Sequence, residues 1–179
     1  MNNISINKID YLVLFLSLIF ASTIQQLFLY QDNALHLIHS IKYFSNNNLN
    51  EDWIANQTNH LPLYSFINYI LIKLFSPFII YLFHFILLMI CSFSLFSINR
   101  ILFPKLENKL LIILWFSFFI FIFHEHSMFA GVAGQSVINE GQQPSSYGIL
   151  FFTSMYFYLI RKYFLSILLV CLAASFHPT

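Results

Sequence analysis

Asp32 stands two residues past Tyr30, where the first long apolar run of the chain gives out. Desolvation near a membrane-embedded pocket raises a carboxylate's pKa toward the range in which it accepts a proton from a hydroxyl, so Asp32 is a candidate general base. The same group could hold a divalent metal, and it also suits the N-cap of the amphipathic segment that follows. Glu140, between Asn139 and Gly141, is the second candidate acid, placed in a glycine-rich loop from which it could face Asp32 across one site. His36, His60, His124, Glu125, His126 and His177 are candidates for binding substrate beside them, with Gln135 and Gln142 as neutral groups suited to a sugar or lipid head group. His124-Glu125-His126 lacks the four-residue His spacing of a helical zinc site, so we assign no metal ligand there. His177-Pro178 either presents an imidazole to a pocket or ends a helix. His84, between Phe83 and Phe85, reads as a helix-to-helix hydrogen bond rather than a ligand.

These residues sit in an unusually apolar chain: 59% hydrophobic, 8% charged, mean hydropathy +0.73. A soluble domain could not cover its surface with so few polar residues, so the expectation is an integral, multi-pass membrane protein. Membrane lipid is then a partner, and a net charge of +1 argues against nucleic acid. Cys91 and Cys171 lie singly in apolar runs and read as small buried residues, not as a disulfide or zinc site. The first apolar run is long and aromatic with no convincing cleavage site, and reads as an uncleaved anchor.

The expected fold is all-α, a polytopic transmembrane bundle of about five spans near 11–30, 78–98, 110–123, 147–160 and 163–176. The loop at 31–77 carries two interfacial helices, about 33–45 and 61–75, with an Asn-rich stretch between them. Charge decides that 61–75 stays at the interface. With that choice Lys8, the loop at 100–109 and Arg161-Lys162 fall on the cytoplasmic side, and Asp32, Glu51, Asp52, Glu125 and Glu140 on the outer side. The N-terminus is then cytoplasmic, and every histidine except His84 is on the outer side. All four glycines fall between positions 131 and 148, giving the second outer loop its turns, and Pro144 fits the first turn of the next helix. Arg161-Lys162 reads as a tight inner turn. The chain closes on His177-Pro178-Thr179 straight after an apolar run, and we expect it to be the N-terminal part of something longer.

The order of these features resembles the GT-C superfamily of membrane glycosyltransferases. The resemblance is carried by Tyr30-Gln31-Asp32, by the two interfacial segments and by Glu140 in the later outer loop; it covers most of the chain and is architectural. It implies transfer of a sugar from a polyprenyl-phosphate-linked donor on the outer face of a membrane, with the bacterial inner (plasma) membrane as the expected location. Asp32 would be the base or a metal contact and Glu140 the second acid. The outer face offers only Lys42 and Lys73 to a lipid phosphate, so phosphate contacts would have to come from further spans. The alternative is a non-catalytic polytopic protein, a transporter half or an assembly subunit.

Overall fold

Ser76-Pro77 separates two helices, because proline disfavours the helical conformation in the residue before it and lacks the N–H that a continuing helix would use. A computed structural model of the protein describes residues 8, 12, 15–16, 37–42, 49–106, 110–113, 115, 142 and 144–176. Before the break lies helix α1, Pro62–Leu74, and after it helix α2, Ile79–Leu102. Amides of Ile79, Ile80 and Tyr81 bond back to Ser76, Pro77 and Phe78, a tight first turn that starts α2 directly after the proline. Its 24 residues rise about 36 Å, more than the roughly 30 Å of a bilayer's hydrocarbon. The helix continues four residues past the expected end at 98. Arg100 sits in its last turn, where a cation meets the negative end of the helix dipole.

The second half holds a 3-10 helix, Pro144–Gly148, running into α3, Ile149–Leu159, and then α4, Tyr163–Phe176. Pro144 thus opens the helical stretch, as expected. Between α3 and α4 the Lys162 amide bonds to the Phe157 carbonyl and the Arg161 amide to that of Tyr158, both at 2.9 Å. This double bond pattern is a Schellman closure, and Arg161 occupies its left-handed position with φ 63°, where glycine is usual. A tight Arg-Lys turn therefore forms where the sequence placed one.

Side-chain contacts give the helix directions. Phe83 meets Tyr147, Phe93 meets Tyr156, and the Ser94 and Thr153 hydroxyls are 3.0 Å apart, so α2 and α3 run parallel. Tyr158 meets Tyr163 near the turn and Tyr147 stacks on Phe176 at the far end, so α4 returns antiparallel. Arg100, at the end of α2, and the Arg161-Lys162 turn therefore lie at the same end of the bundle. Helix α1 packs at the other end. Its Tyr64 and Ile72 share a buried cluster with Ile80 at the start of α2, Tyr147 of the 3-10 helix, Leu150 at the start of α3, and Ala173 and Phe176 at the end of α4. Leu37, from the helical residues 37–42, joins that cluster. A second cluster, of Leu87, Leu88, Cys91, Leu95 and Phe96 with Leu111, Trp115 and Ile149, forms the middle of the bundle.

Small polar side chains are buried beside these apolar clusters, while several large apolar ones face outward. The residues turned inward include Ser92, Ser94, Ser97, Ser154, Ser166, Asn68 and His84, while Phe66, Phe78 and Phe164 are 57%, 75% and 78% exposed. On α1 the buried stripe is Tyr64, Ser65, Asn68 and Ile72, and the opposite side carries Phe66. Among the described residues the fold is all-α with no strand, and one helix, α2, is long and apolar enough to cross a membrane. Helix α4 is apolar but shorter, about 21 Å. The expected spans at 11–30 and 110–123 fall largely outside the described residues. One expectation is overturned: Cys171 is exposed on α4, because that helix turns only Ser166, Ala173 and Phe176 fully inward, whereas Cys91 is buried as expected.

Candidate functional site

A buried polar network lies at the end of the bundle opposite the basic turns. Asn59 prepares the entry to α1: its side-chain oxygen accepts from the Leu61 amide at 3.0 Å, an Asx turn, and from the Ser65 hydroxyl at 3.3 Å. Pro62 follows in the first helical turn, where its missing N–H costs nothing. The four-residue period of α1 then turns Tyr64 and Asn68 to the same inward face.

From that face Tyr64 donates its hydroxyl to the backbone carbonyl of Gln142 at 3.0 Å, and the Gln142 side-chain amide donates to the Tyr147 hydroxyl at 3.0 Å. The Tyr64 and Tyr147 rings meet edge to face with centroids 6.0 Å apart, and Phe176 stacks on Tyr147 at 3.5 Å. Asn68 donates to the Tyr64 carbonyl at 3.1 Å. The network therefore runs Asn68, Tyr64, Gln142, Tyr147 and joins α1 to the segment that opens α3. Burial, with the neighbouring Tyr147, pushes the Tyr64 phenol well above its ordinary value, so it remains a neutral donor. Two oxygens in this network, Asn68 Oδ1 and Gln142 Oε1, are buried and accept no hydrogen bond. His84 is buried one residue along α2 from Phe83, whose ring lies against Tyr147.

A surface layer lies beside this network. Ser40 donates to the Ser65 carbonyl at 3.0 Å and holds the helical residues 37–42 on α1. Lys42 donates to the Ala55 carbonyl at 3.1 Å and to Asn56 Oδ1 at 2.6 Å, so it clamps the 49–57 turn. Asp52 shapes the same turn by accepting from the Ala55 amide at 2.9 Å. Lys73 bonds to the Tyr69 hydroxyl at 3.2 Å and lies over its ring. Both lysines that the sequence offered to a lipid phosphate are thus engaged within the protein. His39 is held below its ordinary pKa by partial burial first, then by Lys42 and His60.

Of the residues expected to carry chemistry, Gln142 lies inside the network and His60 is exposed on the surface layer. Asp32, Glu140, His36, His124, Glu125, His126, Gln135 and His177 lie outside the described residues. Among the described residues no three of His, Cys, Asp and Glu gather as a metal site, and the metal considered for Asp32 falls outside them. Sequence reasoning passed over Tyr64, Asn68 and Tyr147. Their signal was present: Tyr64, Ser65 and Asn68 form a polar stripe at helical spacing in an otherwise apolar helix. No protein-family model, curated protein or solved structure matches this chain.

Proposed function

We propose that this chain is a polytopic membrane protein of about five spans that transfers a sugar from a lipid-phosphate carrier on the outer membrane face, with Asp32 as base and Glu140 as the second acid. The membrane part is supported by the exposure pattern: helices that turn serines inward and display several phenylalanines suit an apolar solvent. It is also supported by direction. Parallel α2 and α3 require the chain to recross the bundle between Leu102 and Pro144, and the apolar run at 110–123 is the segment that would do so. Arg100 and Arg161-Lys162 then share the cytoplasmic side.

The observation that carries the two-acid reading is the meeting of two distant segments in one cluster. Leu37, five residues after Asp32 in sequence, is buried with Tyr64 and Tyr147, and Gln142, two residues after Glu140, is bonded to both tyrosines. In the reaction, Asp32 takes the proton of the acceptor hydroxyl, the new bond forms at the anomeric carbon, and the bond to the lipid phosphate breaks with inversion. Asp32→Asn, assayed for transfer of radiolabelled sugar in membranes, is expected to lose activity by on the order of 10²–10⁴-fold. Full activity at normal expression would remove Asp32 from the mechanism. A non-catalytic polytopic protein is the second reading, favoured by His84, an ionisable side chain buried on the longest apolar helix. No transfer by wild type, with uptake of a solute in its place, would select that reading.

A further inference from the structure

We propose that Asn68 and Gln142 form a binding site for a neutral, hydroxyl-bearing group, such as the sugar of a glycolipid head group. Asn68 is 0% and Gln142 3% exposed, and each keeps a buried side-chain oxygen with no hydrogen bond. A buried amide oxygen without a donor costs free energy comparable to a lost hydrogen bond, so two of them on one network mark a place where donors are gained on binding. Both are tied to the same tyrosine, Asn68 through its backbone carbonyl and Gln142 through its hydroxyl. Tyr64 thus links the two amides within one network.

The chemistry of the network selects the ligand. Tyr64, Ser65, Asn68, Gln142 and Tyr147 are all uncharged, so nothing in it neutralises a phosphate or a carboxylate. A metal ion would satisfy oxygens alone. A hydroxyl both donates and accepts, so it suits Gln142 with either end of its amide toward Tyr147. Phe83 and Phe176 pack on Tyr147 beside these amides, and aromatic rings with a few fixed polar groups are the usual company of a small polar ring.

This inference names the sugar-binding part of the glycosyl-transfer reading, and rests on it only for the lipid source of the sugar. Its test is binding, read independently of transfer. Wild type, Asn68→Leu and Gln142→Leu are placed in nanodiscs, and retention of monoglucosyl diacylglycerol is compared with that of plain diacylglycerol by native mass spectrometry; free glucose is titrated in parallel. Wild type is expected to retain the glucosyl lipid at least tenfold over plain diacylglycerol, and each substitution to abolish that preference with the helical content unchanged. Asn68→Ser and Gln142→Asn, which keep a polar group but shorten it, serve if a leucine variant does not fold, and are expected to lose most of the preference. Response to free glucose as well as to the lipid identifies the sugar alone as the ligand. Equal retention of both lipids without response to glucose, or a preference untouched by the substitutions, overturns the proposal. Sugar preference with no transfer activity would instead leave this site standing and remove the enzymatic reading.

Discussion

The Tyr64 hydroxyl and the backbone carbonyl of Gln142 meet at 3.0 Å across 78 residues of sequence, and that bond fastens α1 to the segment that opens α3. Tyr64→Phe keeps the ring and its edge contact with Tyr147 but leaves a buried carbonyl without its donor. We expect a loss of about 1–3 kcal/mol, read as a lower unfolding midpoint in lipid or detergent. An unchanged midpoint would mean that the bond contributes nothing.

The hairpin of α3 and α4 is held by a hydroxyl pair. Ser154 Oγ lies 2.9 Å from Ser166 Oγ and donates to the Ser166 carbonyl at 3.0 Å. A double-mutant cycle of Ser154→Ala and Ser166→Ala should give a coupling of roughly 0.6 kcal/mol, and at most about 1.7, the range for interhelical hydrogen bonds in a membrane bundle. Additive single effects would contradict the pair.

His39 sets a direction for pH. Its folded-state pKa lies below the ordinary 6.5, so once pH falls under that value the unfolded chain binds the proton first. Stability from this group is intact above about pH 6.5 and is lost as pH falls through the folded pKa. His39→Gln should flatten the pH dependence of the unfolding midpoint between neutrality and pH 5. A wild-type midpoint that rises on acidification while the variant's does not would contradict this sign.

Sidedness is tested by labelling. With Cys91 and Cys171 replaced by alanine, single cysteines at Asn50 and Arg161 should react with an impermeant maleimide from opposite sides of sealed vesicles. Reaction of both from one side would overturn the arrangement in which α2 and α3 carry their basic ends to the cytoplasm.

Much of the helical layout was legible in the sequence, because Ser76-Pro77, Pro144 and Arg161-Lys162 punctuate long apolar runs and proline acts locally. Helix α4 spans the same residues as the expected run, and α1 differs by one residue at each end. The end of α2 was less legible: Asn99 and Arg100 look like a loop by hydropathy, yet a C-terminal arginine is compatible with the dipole and the helix continues. The buried network was read only through Gln142. Hydropathy does not separate inward from outward residues here, and Tyr64 and Asn68 face inward for reasons that depend on which distant segment supplies Gln142. Cys171 misled for the same reason, since an apolar surrounding in sequence does not say which side of a helix is covered.

The buried serines and outward phenylalanines of these helices bear on which substitutions the protein tolerates. If the proposed membrane setting holds, any bulky apolar residue should serve at Phe66 and Phe78, since lipid adapts to shape but rejects charge, whereas Ser65, Ser154 and Ser166, small and buried, leave little room for growth. A saturation screen of this protein would therefore find its outer surface selected for hydrophobic character and its interior selected for size, with the strictest positions carrying the smallest polar side chains.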